Sequence, residues 1–122
     1  TADKETREEI QSNLKLHKAK WFINSFDRPN IQYHVTQGNT GKRDLLQFIN
    51  ENHATDSGIV YCLSRKKVEQ TTNWLNDEGY TALSYHAGMD KHTKQRNQER
   101  FIAEEGIIIC ATIAFGMGID KP

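Results

Sequence analysis

The stretch "GIVYCLSRKKVEQTTNWLNDEGYTALSYHAG", Gly58 to Gly88, decides the fold. It opens on a short apolar run, Ile59-Val60-Tyr61-Cys62, which reads as a strand over Gly58 to Cys62. Lys66 to Glu78 then carries Val68, Trp74 and Leu75 inward as a helix, and Gly79 stands where a C-terminal cap belongs. Thr81 to Tyr85 is a second strand. Strand, helix and strand of these lengths make a βαβ unit, which requires two parallel strands.

Working outward, the same alternation continues on both sides. Asp90 opens a helix that runs to Phe101-Ile102, Gly106 breaks it, and Ile107 to Cys110 is a further strand. Upstream, Lys42 to Asn52 reads as a helix with Leu45, Leu46, Phe48 and Ile49 inward. The class expected is therefore α/β, with a parallel sheet. Farther upstream the pattern is less regular. Gly38 to Gly41 reads as a loop, and Ile31 to Val35 alternates apolar and polar residues like a strand with one wet face. Ser25 to Asn30 is a turn or linker, because Pro29 lacks an amide donor and drives Arg28 towards extended backbone. Trp21-Phe22-Ile23 is an apolar patch. Asp3 to Leu16 reads as a helix capped by Asp3, with Ile10 and Leu14 on one face. So thin a stripe implies packing against something larger than this chain supplies.

Composition narrows the classes. With 122 residues there is room for one small domain and not for two. Acidic and basic side chains balance at 16 each, so any nucleic-acid surface must be a local basic patch. The two cysteines, Cys62 and Cys110, each end an apolar run and form no C-x-x-C pair. They read as small buried residues in a reducing compartment, and no metal site is expected here. No run approaches the roughly 18 apolar residues of a membrane span, and no signal-peptide core is present.

In an open parallel sheet, ligands bind beyond the carboxyl ends of the strands. Three segments belong there: Leu63-Ser64-Arg65-Lys66-Lys67, His86-Ala87-Gly88, and Ala111 through Gly118. Ser64 and Thr112 offer hydroxyls, three consecutive cations begin at Arg65 on a helix N-terminus, and Gly88, Gly116 and Gly118 permit close backbone approach. Hydroxyls, amides and cations on one rim suit a phosphate chain. Each feature has a plainer reading. Ser64 can simply cap a helix, His86 can be an ordinary strand-end histidine, the glycines can belong to turns, and Asp120 can be a surface acid. Their coincidence on one edge carries the inference. No G-x-x-x-x-G-K-[ST] phosphate loop, H-E-x-x-H pair or G-x-S-x-G elbow is present, so no complete catalytic set is expected.

The segments "SFDRPNIQYHV", "SGIVYCLSRKKVE", "YHAGMD" and "IIICATIAFGMGIDKP" together resemble the RecQ family of DNA helicases, superfamily 2 enzymes with two RecA-like lobes. The resemblance covers essentially the whole chain, and "AFGMGIDKP" is a specific RecQ-type motif V. It implies a piece of a longer protein: residues 1–24 as the end of the first lobe, 25–30 as the interlobe linker with Arg28 and Asn30 at a hinge, and 31–122 as an incomplete second lobe. The implied activity is ATP-dependent 3′–5′ unwinding of DNA in repair and recombination, in the bacterial cytoplasm or the nucleus. ATP and Mg²⁺ would be held mainly by the first lobe, and zinc only by a downstream domain. Partners implied are single-stranded or duplex DNA, ATP and the first lobe. Residue by residue, the resemblance places Ser64, Arg65, His86, Gly88, Arg96 and Thr112 at DNA, and Gly118 with Asp120 at the nucleotide-coupling cleft. By itself the segment is expected to hydrolyse no ATP. A stand-alone, non-catalytic module binding nucleic acid or protein is the alternative, to be separated by the flanking gene sequence.

Overall fold

The computed structural model describes residues 2–37, 41–112 and 115–121. The chain divides into two compact units, Thr1–Gln37 and Gly38–Pro122.

The first unit holds one helix, α1 (Lys4–Asn13). The Asp3 carboxylate accepts from the Thr6 amide at 2.8 Å and caps it, as its sequence position suggests. No residue of α1 is buried, in keeping with its thin apolar stripe. The strand expected over 31–35 is not formed. Those residues belong to no ladder among the described residues, and Tyr33 and Val35 are 83% and 94% exposed. Period-two alternation selects a face, but a strand exists only where a neighbour satisfies its amides and carbonyls. The second compact unit begins at Gly38.

The second unit follows the βαβ reading closely. Its elements are α2 (Gly41–Asn52), β1 (Gly58–Tyr61), α3 (Arg65–Asp77), β2 (Thr81–Tyr85), α4 (Lys91–Ala103) and β3 (Ile107–Ala111). The sheet is parallel throughout, with strand order β1-β3-β2. Every residue of the central strand β3 is buried, which explains its unbroken Ile-Ile-Ile-Cys-Ala sequence. Its side chains alternate between two cores. Ile108 and Cys110 join Ile49, Cys62, Val68, Leu75 and Ala82, under α2 and α3. Ile107, Ile109 and Ala111 join Phe101 and Phe115, on the α4 side.

The helix ends have identifiable causes. Ser64 and Asp90 cap α3 and α4 by accepting from the Lys67 and Thr93 amides at 3.2 and 2.9 Å. Each such cap stabilises a helix by about 1 kcal/mol. Two donors from Thr93, its hydroxyl and its amide, hold the Asp90 carboxyl below its ordinary pKa. At the far end of α3, Gly79 has φ +94°, and the Gly79 and Tyr80 amides reach back to the carbonyls of Asn76 and Leu75 at 3.1 Å. This double closure needs a left-handed residue, so the glycine is required there. The Asn76 side chain then donates to the Ala82 carbonyl and accepts from its amide, at 3.0 and 2.8 Å. A side-chain amide thus stands in for a neighbouring strand at an edge of β2. No helix among the described residues is long and apolar enough to cross a membrane.

Candidate nucleic-acid interface

The register of the sheet builds the site. Tyr61 of β1 and Tyr85 of β2 both stand opposite Ala111 of β3. All three strands therefore end at one level, and the three segments that follow leave from one edge. Because β3 is central, Thr112 emerges between the other two. Adjacent parallel strands lie about 5 Å apart, so the rim spans about 10 Å from the β1 side to the β2 side.

Beyond β1, Ser64 has extended backbone and its hydroxyl oxygen is used as the cap of α3. The plainer reading of Ser64 is thus correct as far as it goes. Capping uses an acceptor lone pair, however, and leaves the hydroxyl proton to donate elsewhere. Arg65 and Lys66 begin the helix, where first-turn amides have no intrahelical acceptor. Arg65, Lys66 and Lys67 are all exposed, and Arg65 makes no ion pair among the described residues. A cleft between the start of α2 and α3 adds cations that sequence reasoning did not single out. Lys42, Arg43, Ser64 and Lys67 line it, and the Lys42 ammonium sits 5.2 Å from the centre of the Trp74 ring. Lys42 and Arg43 lie more than twenty residues upstream in sequence, so no local signal could have joined them to Ser64.

Beyond β2, His86 is buried with both ring nitrogens engaged. Nδ1 accepts from the Gly88 amide at 3.1 Å, so the proton is on Nε2, which donates to the Glu69 carboxylate at 2.5 Å. Ser84 and Thr72 continue this network inward, the Ser84 hydroxyl lying 2.9 Å from Thr72 Oγ1 and 3.4 Å from Glu69 Oε2. Asn97 of α4 donates to the Ser84 carbonyl at 2.9 Å. His86 therefore shapes the 86–89 turn from inside. Space at Gly88 is tight: a Cβ there would lie 3.2 Å from the His86 ring and 3.3 Å from Arg65 Cδ, so one of these side chains would have to shift by a few tenths of an ångström. The glycine lets the arginine stem lie against the turn, and it joins the first and second rim segments.

Beyond β3, Thr112 is half-buried at the rim and its carbonyl accepts from the Phe115 amide at 3.3 Å. Ile113 and Ala114 lie outside the described residues. The rest of the segment is pinned at three points. Phe115 is buried, edge-on to Tyr85 and Phe101 at 4.7 and 5.6 Å between ring centres. The Tyr61 hydroxyl donates to the Phe115 carbonyl at 2.7 Å. The Lys121 ammonium reaches the Glu104 and Ile102 carbonyls at 2.9 and 3.4 Å, at the C-terminal end of α4, where the helix dipole favours a cation. Ile119 packs between these points, leaving Met117, Gly118 and Asp120 exposed.

Of the other expected site residues, the resemblance assigns Asp120 with Gly118 to nucleotide coupling, and Arg96 to DNA. Asp120 is exposed and precedes Lys121, whose ammonium reaches the C-terminal end of α4. Arg96 is exposed in the middle of α4, six residues past its cap and so about 9 Å along the helix from the rim. Ser64, Arg65, His86, Gly88 and Thr112 are brought together. Tyr61, Glu69 and Lys121 hold the site in place without having been legible in sequence, because each acts on a partner at least seventeen residues away.

Burial pushes the Cys110 thiol up to about 11, with nearby Cys62 adding to the rise and a hydrogen bond from Thr72 opposing it. Both cysteines are free and buried. Neither is available as a nucleophile, as their place in apolar runs suggested.

Comparison with known proteins bears on this rim as a whole. Residues 41–122 match the helicase conserved C-terminal domain family. The whole chain is 40% identical over 125 residues to the RecQ-like DNA helicase BLM of Xenopus laevis, of which it covers 9%. Over 99% of its length it is 40% identical to the ATP-dependent DNA helicase RecQ of Haemophilus influenzae, covering 19% of that protein. It is 42% identical to the ATP-dependent DNA helicase Q-like 4B of Arabidopsis thaliana, covering 11% of it. The chain thus spans about a tenth to a fifth of the length of these relatives. With its α/β fold and parallel sheet, it belongs to the helicase conserved C-terminal domain family, among the RecQ-type members.

Proposed function

We propose that this chain is the DNA-gripping part of the second motor lobe of an ATP-dependent DNA helicase that unwinds duplexes 3′ to 5′ in repair and recombination. The observation that carries the reading is the common level at which the three strands end. It sets Ser64, Arg65, Thr112 and the 86–88 turn along one edge. An edge of hydroxyls, first-turn amides and exposed cations takes a sugar-phosphate backbone and is indifferent to base sequence, as a motor requires.

Ser64, Arg65 and Thr112 contact the backbone directly in this reading. Gly88 permits close approach, and His86 holds the turn that presents it. Arg96, from α4, reaches the strand farther along its path. Gly118 and Asp120 serve nucleotide coupling in this reading, so the segment that carries them and Thr112 couples the two ligands. Lobe closure around ATP and reopening after hydrolysis then move the grip along the strand. Among the described residues no group of His, Cys, Asp or Glu is placed to hold a metal ion, and no step of this reading runs through Mg²⁺ or zinc on this chain.

The test is the salt dependence of single-strand binding in the full-length protein. Arg65→Ala should weaken binding and flatten the plot of log K against log salt by about 0.7, the contribution of one phosphate on a single strand. An unchanged slope would remove Arg65 from the backbone contacts.

A further inference from the structure

A carboxylate sits beside the grip, and it ought to interfere. Glu69 follows Arg65 by four residues on α3, so the two share a face at the spacing that ordinarily favours an ion pair. Such a pair would neutralise the cation offered to DNA. No ion pair forms between them. The Glu69 carboxylate turns instead to His86 Nε2 at 2.5 Å, with the Ser84 hydroxyl at 3.4 Å from its other oxygen. The two ends of this contact differ in exposure. The His86 side chain is 8% exposed and the Glu69 side chain 52%. A buried imidazole N–H left without an acceptor is costly, whereas an exposed guanidinium keeps its water. Competition for the one carboxylate therefore favours the histidine. The same bond fixes the imidazole tautomer, and with it the Gly88 amide that Nδ1 accepts. Gly88 in turn abuts the Arg65 stem.

We infer that Glu69 and His86 are a positioning pair: His86 withdraws the Glu69 carboxylate from Arg65, and Glu69 holds His86 in the tautomer that shapes the 86–88 turn. The cation at the rim stays free because an acid four residues away is already committed. The inference rests on the proposal that Arg65 meets a DNA phosphate, and it deepens that proposal.

The experiment uses the full-length protein, single-stranded oligonucleotide and a salt titration. His86→Ala frees Glu69 to pair with Arg65, so binding should fall about tenfold, as expected when a charged hydrogen bond is lost, and the salt slope should flatten by about 0.7. Adding Glu69→Gln to His86→Ala should restore most of the slope, since the amide has no charge with which to hold Arg65. Glu69→Gln alone keeps an acceptor for Nε2–H, so it should bind more tightly than His86→Ala. A merely structural histidine predicts otherwise: the second substitution would add damage. No recovery in the double variant overturns the inference, as does an unchanged slope in His86→Ala. If His86→Ala does not fold, the imidazole ¹⁵N spectrum decides. His86 should show the fixed Nε2–H pattern in the parent protein and in Glu69→Gln, and lose it in Glu69→Ala; an unaltered pattern in Glu69→Ala refutes the pair. Should Arg65→Ala itself leave the slope unchanged, the DNA contact fails, while the ¹⁵N pattern still judges the pair on its own.

Discussion

Replacing Gly116 with alanine should loosen the pinned segment from Phe115 to Lys121, and the size of the effect follows from two features of the structure. Gly116 has φ +111°, a conformation that costs a residue with a Cβ about 1–3 kcal/mol. A Cβ there would also lie 2.7 Å from the Tyr61 hydroxyl, far inside contact distance. That hydroxyl must move, and its bond to the Phe115 carbonyl is then lost, at about 1 kcal/mol. Together these come to about 3 kcal/mol, and each 1.4 kcal/mol is a factor of about ten. Amide exchange in a peptide covering 115–121 should accordingly quicken about a hundredfold, read by mass spectrometry, while β3 keeps its protection. Tyr61→Phe alone should quicken it about fivefold. In the double variant the hydroxyl is already displaced, so Phe should add almost nothing, and the two effects should overlap by about 1 kcal/mol. Strict additivity would refute the claim that Gly116 is required by its closeness to Tyr61. Unchanged exchange in Gly116→Ala would refute the pinning itself.

Other outcomes follow from the same geometry. Because folding raises the Cys110 pKa to about 11, the protonated thiol is the form the fold favours. Its contribution is complete below the unfolded value near 9 and falls away as pH rises through 11, by about 3 kcal/mol in all. Urea titrations of the parent protein and Cys110→Ala should therefore converge between pH 9 and 11, and parallel stability curves would count against burial as the cause. Asp120→Ala in the full-length protein should lose DNA-stimulated ATP turnover while keeping single-strand binding, as the proposed coupling role requires; normal turnover would remove it from the coupling site.

Much of the second unit was legible in the sequence because its signals are local. Ser64, Gly79 and Asp90 act within four residues of themselves, so helix limits could be read from caps and left-handed turns. Β3 announced itself by an apolar run that suits burial on both faces. The misread segment, 31–35, had the right alternation and no neighbour to pair with, and alternation alone cannot supply one. The same distinction separates the site residues. Hydroxyls, cations and glycines after strands marked Ser64, Arg65, Gly88 and Thr112 as rim candidates.

Sequence alone thus determined the elements of the second unit, their parallel class and which residue types would stand at the carboxyl edge, since these depend on side-chain period and near-neighbour bonds. Only the tertiary structure decided how those residues divide the work. Placing β3 between β1 and β2 set Thr112 in the middle of the rim. Long-range contacts then gave Tyr61 the task of holding the Phe115 carbonyl, brought Lys121 back to the end of α4, and committed Glu69 to His86 rather than to Arg65. Those choices are competitions between partners distant in sequence, and a carboxylate or hydroxyl can serve only the partner that folding brings within hydrogen-bond reach.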